Sequence, residues 1–114
     1  ARGLQNAQRT LTAFSDELDR YGMADQQRAF NLSWHDWMNL KSLVQTSQVI
    51  TAAALAREDS RGAHFRTDFP SAGPLEATAF TSVQQQANGA LKISMRPVDF
   101  SRVRPGESLL REPA

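Results

Sequence analysis

Ser60, His64 and Asp68 are the residues of this 114-residue chain whose types and spacing come nearest to catalysis. They stand at i, i+4 and i+8, so an uninterrupted helix would set a hydroxyl, an imidazole and a carboxylate on one face, the composition of a nucleophile relay. Gly62 and Pro70 argue against that helix, because glycine favours other backbone conformations and the residue before a proline is pushed to extended backbone. No strand–turn–helix elbow or oxyanion site is readable nearby. A metal centre is as poorly supported, since His35 and His64 are the two histidines and lie far apart. The chain has no cysteine, which removes disulfides, thiol catalysis and iron–sulfur ligation but leaves the redox compartment open.

These candidates sit in the densest charge cluster of the chain, residues 57–70. Arg57, Arg61 and Arg66 balance Glu58, Asp59 and Asp68, with His64 among them. Alternating signs at this density suit a network of Arg–carboxylate hydrogen bonds more than a phosphate cradle. The whole chain is equally balanced, with 13 Lys+Arg against 12 Asp+Glu, a net charge of +1 and no strongly signed third. A basic face for nucleic acid is therefore not expected. No apolar run approaches the ~20 residues of a membrane span. No signal peptide is visible, and the opening at Ala1 reads as a processed chain or an excised segment.

The elements that must position the cluster are legible on either side of it. Leu4, Ala7, Leu11, Phe14, Leu18 and Tyr21 step by three and four, one apolar stripe on an amphipathic helix with Gly22 as its C′ residue. Met23–Phe30 is read as a further short helix or turn. A second helix is predicted from about Trp34 to about Arg57, with Ser33 as N-cap and Asp36 completing a variant capping box. Trp34 and Trp37 are expected to pack over the end of the first helix, an aromatic platform for a base or sugar being the weaker reading because no basic residues flank it. Beyond Pro70, Thr78–Val83 and Leu91–Met95 alternate, and Asn88-Gly89 between them signals a hairpin turn. The fold class is thus mainly α: a small bundle of about three helices, a C-terminal β-hairpin and an extended tail. The boundaries are 1–70 for the bundle, 71–100 for the hairpin and 101–114 for the tail, within one domain.

Residues 57–70, Arg-Glu-Asp-Ser-Arg-Gly-Ala-His-Phe-Arg-Thr-Asp-Phe-Pro, resemble the R-x-E-S-R-G-A-H-x-R-x-D-F/Y-P signature of the succinate dehydrogenase/fumarate reductase flavoprotein subunits and their relative L-aspartate oxidase. That signature lies in their C-terminal helical domain, which follows the FAD-binding domain. The Leu4–Tyr21 stripe, the stretch Phe30–Arg57 and Arg96-Pro97-Val98 agree in order with the same domain. Asp59 stands where the family has Glu, and Ser71–Thr78 keeps only the Leu and the Thr of the respiratory pattern. The resemblance therefore points to a fumarate reductase-like or aspartate oxidase-like flavoprotein.

The resemblance implies FAD in the parent protein and none in this chain, because the flavin and the hydride- and proton-transferring residues belong to the preceding domains. No G-x-G-x-x-G is present, so no catalytic, cofactor-binding or metal-binding residue is assigned here. It further implies a cytoplasmic location, or the cytoplasmic face of a membrane through partner subunits. The partners it implies are the FAD-binding domain of the same protein and an iron–sulfur subunit; for the chain alone, weak homo-oligomers are expected. The expected role is a structural, interdomain-docking one, with Arg57, Arg61, His64, Arg66 and Asp68 as contacts. An intradomain salt-bridge network is the competing reading of those five. Phe65, Phe69, Leu75 and Phe80 are the apolar residues expected to form the docking patch. A stand-alone helical interaction module without enzymatic activity is the alternative for the whole chain.

Overall fold

The computed structural model describes residues 1–108. Two antiparallel helices, α1 (Arg2–Tyr21) and α2 (Leu32–Ala56), are followed by the charged loop, a short 3-10 turn at Leu75–Ala77 and a hairpin of β1 (Ala79–Gln85) and β2 (Leu91–Pro97). Two α-helices stand where about three were expected. The segment Met23–Phe30 is a loop: it has no apolar stripe of its own, and Asn31 ties it down instead. The Asn31 amide donates to the carbonyls of Asp25 and Gln27 at 3.0 and 2.9 Å.

Asn31 also replaces Ser33 as the N-cap of α2. Its side-chain oxygen accepts from the Trp34 backbone N–H at 2.8 Å, the bond to the third helical residue that a good N-cap makes. The helix consequently starts at Leu32, and Ser33 lies inside its first turn. Phe30, just before the cap, is the one non-glycine residue with positive φ (54°) among the described residues. α1 ends as its sequence predicts, with Gly22 at φ 56° and its N–H on the Leu18 carbonyl.

The helices meet along the α1 stripe. Trp37 donates its indole N–H to the Leu18 carbonyl (3.4 Å), Gln48 donates to the Leu11 carbonyl (3.4 Å), and Lys41 pairs with Asp19 at 2.7 Å while lying over the Trp37 ring. Trp37 therefore packs over the end of α1 as expected; Trp34 stays exposed, edge-on to His35. The hairpin lies beside α2, its register running from Ala79 opposite Pro97 to Gln85 opposite Leu91. Its turn spans three residues, Ala87-Asn88-Gly89, with Gly89 at φ 83°. Val83, Leu91 and Ile93 are half-buried, and Phe80, on the opposite face, is exposed. The described part of the tail, Ser101–Ser108, has neither helix nor strand; the rest of it lies outside the described residues.

Very little of this is core. Val44 and Ala52 are the buried apolar residues among those described. The chain exposes 9432 Å² of surface, whereas a compact monomer of its mass exposes roughly 6,200 Å². Its radius of gyration is 20.1 Å, against about 13 Å for a compact chain of this length.

Candidate docking site at the charged loop

The loop begins where α2 runs out of hydrogen-bond donors. The last carbonyls of a helix have no partner within it, and α2 ends without the usual C-terminal glycine, at Arg57 in extended conformation. Arg66 supplies the missing donors. Its Nη1 reaches the carbonyls of Leu55 (2.7 Å), Arg57 and, at 3.5 Å, Ala54. Its Nε and Nη2 form a fork with Asp68 at 3.0 and 2.6 Å, and its guanidinium lies over the Phe69 ring. A cation at a helix C-terminus is also favoured by the helix dipole. Arg66 is only 5% exposed and is the buried charged residue of the described chain.

Ser60 pins the loop from within. Its Oγ donates to the Phe69 carbonyl at 2.7 Å and accepts from the Arg66 N–H at 2.8 Å, while its own N–H donates to the Ser71 carbonyl. Arg61 and His64 exchange both backbone hydrogen bonds (2.9 and 3.0 Å) across Gly62-Ala63. Gly62 takes φ 57° there, the first-position conformation of a II′ turn, which glycine supplies without strain. The Arg61 guanidinium then fans out to the Ala72 carbonyl (2.7 Å), the Thr78 hydroxyl (2.7 Å) and the Pro74 carbonyl (3.0 Å), with Asp59 3.0 Å away. Arg57 forks onto Asp59 at 3.0 and 2.9 Å and donates to the Ala79 carbonyl and the Thr81 hydroxyl of β1.

The three arginines therefore link the end of α2, the loop and the start of the hairpin. Ser60, His64 and Asp68 are drawn together in this loop without forming a relay. The Ser60 proton is committed to a backbone carbonyl, Asp68 is committed to Arg66, and no hydrogen bond joins His64 to either. The His64 Nε2 is enclosed without a hydrogen-bond partner. His35 sits in the first turn of α2 and His64 beyond its last, so the two cannot share a metal ion. The described residues do not fit FAD either: the sheet is antiparallel, and no parallel strand leads through a glycine-rich turn into a helix, the cradle a dinucleotide needs. Sequence reasoning missed Ser60 as the pin and Thr78 as an Arg61 acceptor. Both are hydroxyls, and a hydroxyl's partner follows from loop shape, not spacing.

Electrostatics follow the same contacts. The Arg57 hydrogen bonds, with help from the Arg61 and His64 charges, hold the Asp59 carboxyl below its ordinary range against the opposing effect of burial. Asp68 is held well below it by the Arg66 fork, and Asp68 raises Arg66 in return. A carboxyl depressed in the folded state adds stability above its unfolded value of about 3.9 and loses it as pH falls toward the folded value. The loop should thus loosen as pH falls below about 4. Asp59→Asn should flatten part of that acid limb in dichroism-monitored titrations; an unchanged limb would show that Asp59 does not contribute.

Residues 1–109 match the family described as fumarate reductase flavoprotein C-term. The chain belongs to that family. It is 33% identical over 114 residues to the fumarate reductase flavoprotein subunit of Mycobacterium tuberculosis (strain H37Rv), a match covering 94% of this chain and 20% of that one. It is 33% identical over 85 residues to L-aspartate oxidase 1 of Ralstonia nicotianae, covering 75% and 14% of the two chains. A 35-residue stretch, 31% of this chain, is 63% identical to L-aspartate oxidase of Bacillus subtilis, of which it covers 7%. The chain thus spans about a fifth or less of the length of these curated relatives. These are the two groups, fumarate reductase flavoproteins and L-aspartate oxidases, to which the signature pointed. No helix among the described residues is long and apolar enough to cross a membrane.

Proposed function

We propose that this chain is the C-terminal docking domain of an FAD-dependent oxidoreductase of the fumarate reductase or aspartate oxidase type, and that it buttresses the flavin-binding part of the same polypeptide without taking part in the chemistry. The observation that carries this reading is the missing core. Its surface exceeds a compact monomer's by roughly 3,000 Å², more than one partner's half of an obligate interface that buries about 2,000–5,000 Å² in total. In this role Arg57, Arg61, His64, Arg66 and Asp68 act at the domain boundary by fixing the loop that presents Phe65, Leu75 and Phe80 outward. All three apolar residues are exposed, Phe65 at 68% and Phe80 at 63%, while Phe69 is held half-buried beneath Arg66. The name of the family supplies the flavin; an iron–sulfur subunit is a further partner of the assembled enzyme, and a cytoplasmic site of action goes with it. Until the body is present, the same surface favours weak self-association.

The test separates the chain from its parent. The 114-residue chain alone should be colourless after purification with added FAD and should not reduce fumarate or oxidise succinate or aspartate. The longer polypeptide should carry flavin and lose it when residues 1–114 are deleted. Stoichiometric flavin on the isolated chain would overturn the reading. Full flavin retention in the deleted polypeptide would instead favour a separate interaction module.

A further inference from the structure

The turn of the hairpin carries chemistry that docking does not use. Asn88 is followed by Gly89, and a main-chain nitrogen with no side chain beside it can reach the carboxamide of the residue before it. The other three asparagines have bulkier neighbours: Asn6 precedes Ala7, Asn31 precedes Leu32 and Asn39 precedes Leu40. Asn6 and Asn39 also lie inside α1 and α2, and Asn31 has both its amide and its side-chain oxygen engaged at the start of α2. The hairpin turn is open by comparison. Residues 84–90 are all exposed, and a Cβ added at Gly89 would meet no atom within 4 Å. The Asn88 Oδ1 accepts from the Ala90 N–H at 3.0 Å, which holds the carboxamide across the intervening Gly89 peptide. The Asn88 Nδ2 has no hydrogen bond among the described residues.

We propose that Asn88 is a site of spontaneous covalent modification, converted in the folded protein to a mixture of isoaspartate and aspartate through a cyclic imide. The Gly89 nitrogen gives up its proton to hydroxide and bonds to the Asn88 Cγ. The carbonyl electron pair moves onto Oδ1, where the Ala90 N–H already donates, and a donor placed where negative charge develops favours the step. The pair then returns, the Cγ–Nδ2 bond breaks, and the nitrogen takes a proton from water and leaves as ammonia. Water opens the ring at either carbonyl. Opening at the main-chain carbonyl of residue 88 carries the chain on through Cγ, which is isoaspartate; opening at Cγ restores the ordinary backbone as aspartate. Both products add a carboxylate. The isoaspartyl form also adds a carbon to the main chain of a three-residue turn, where the Gln86–Ala90 and Gly89–Gln86 bonds (2.8 and 2.9 Å) fix the register. The Gly89 N–H must leave the Gln86 carbonyl before the nitrogen attacks. That bond lies beyond the last paired residues, Gln85 and Leu91, at the tip where local opening costs least.

The experiment ages the full-length polypeptide in neutral and mildly alkaline buffer and reads each asparagine by peptide mass spectrometry. Isoaspartate is counted by enzymatic carboxyl methylation of the same samples. Asn88 should convert about tenfold or more faster than Asn39, whose peptide opens only when its helix does. The rate should rise with pH, because the attacking nitrogen must lose its proton, and isoaspartate should accompany the mass change. A synthetic peptide of residues 82–95 gives the rate without the fold. A folded rate within about tenfold of the peptide's is expected; a larger suppression would show that the turn protects Asn88 and would overturn the proposal. Conversion at Asn88 no faster than at Asn39 overturns it as well. Asn88→Gln, whose ring would be one atom larger, should abolish the acidic forms that the wild type accumulates on isoelectric focusing. Their persistence at the wild-type rate would place the modification elsewhere and remove Asn88 as its site.

Discussion

Arg66→Ala should unravel the last turn of α2 and free the charged loop, a larger loss than any other single substitution in residues 57–70. Three consequences coincide at this side chain. The carbonyls of Ala54, Leu55 and Arg57 lose their donor, Asp68 loses its forked partner, and Phe69 loses the cation that covers it. Unpaired polar groups left in a half-enclosed site are costly in a way that a merely absent contact is not. Arg66→Lys keeps the charge but offers a point donor in place of the planar fork, and cannot serve two carbonyls and both carboxylate oxygens at once. Thermal unfolding followed by helix dichroism should therefore rank wild type above Lys and Lys above Ala, the Ala variant falling by several degrees. A lysine variant as stable as wild type would show that the fork is dispensable and charge at the helix end suffices.

The helices and the hairpin could be read from sequence because their signals are local and periodic. The α1 stripe, the Gly22 stop and the alternation around Asn88-Gly89 each involve neighbours within a few positions, and each element is present. Met23–Phe30 reads equally as a short helix or a turn, and it is a loop; the decision lies with Asn31, whose amide bonds across four and six residues to loop carbonyls. The same residue moved the start of α2, since Asn31 and Ser33 are both good caps and only the incoming chain chooses between them. The charged loop was legible as an Arg–carboxylate network, and Asp59 and Asp68 are paired as composition suggested. That Arg66 would reach back nine to twelve residues to cap a helix was not, because it depends on the Gly62 turn folding the chain onto itself.

The competing readings of Arg61 are separated by what happens away from it. Its guanidinium is committed within the chain to Ala72, Pro74, Thr78 and Asp59, so Arg61→Ala should lower the melting temperature of the 114-residue chain itself. Phe65 and Phe80 make the opposite case. They are exposed, so Phe65→Asp combined with Phe80→Asp should leave that chain's melting temperature unchanged. In the full-length polypeptide the same pair should dislodge the domain. Covering one aromatic side chain contributes about 1.5–3 kcal/mol, and placing a carboxylate in the contact adds an unpaired charge to the loss. Flavin retention after gel filtration and turnover should both fall in the double variant. If flavin and turnover survive the two carboxylates, docking does not run through this patch. If Arg61→Ala releases flavin while the isolated chain melts as before, Arg61 touches the flavin-binding part directly, and the loop is itself the contact, not its support.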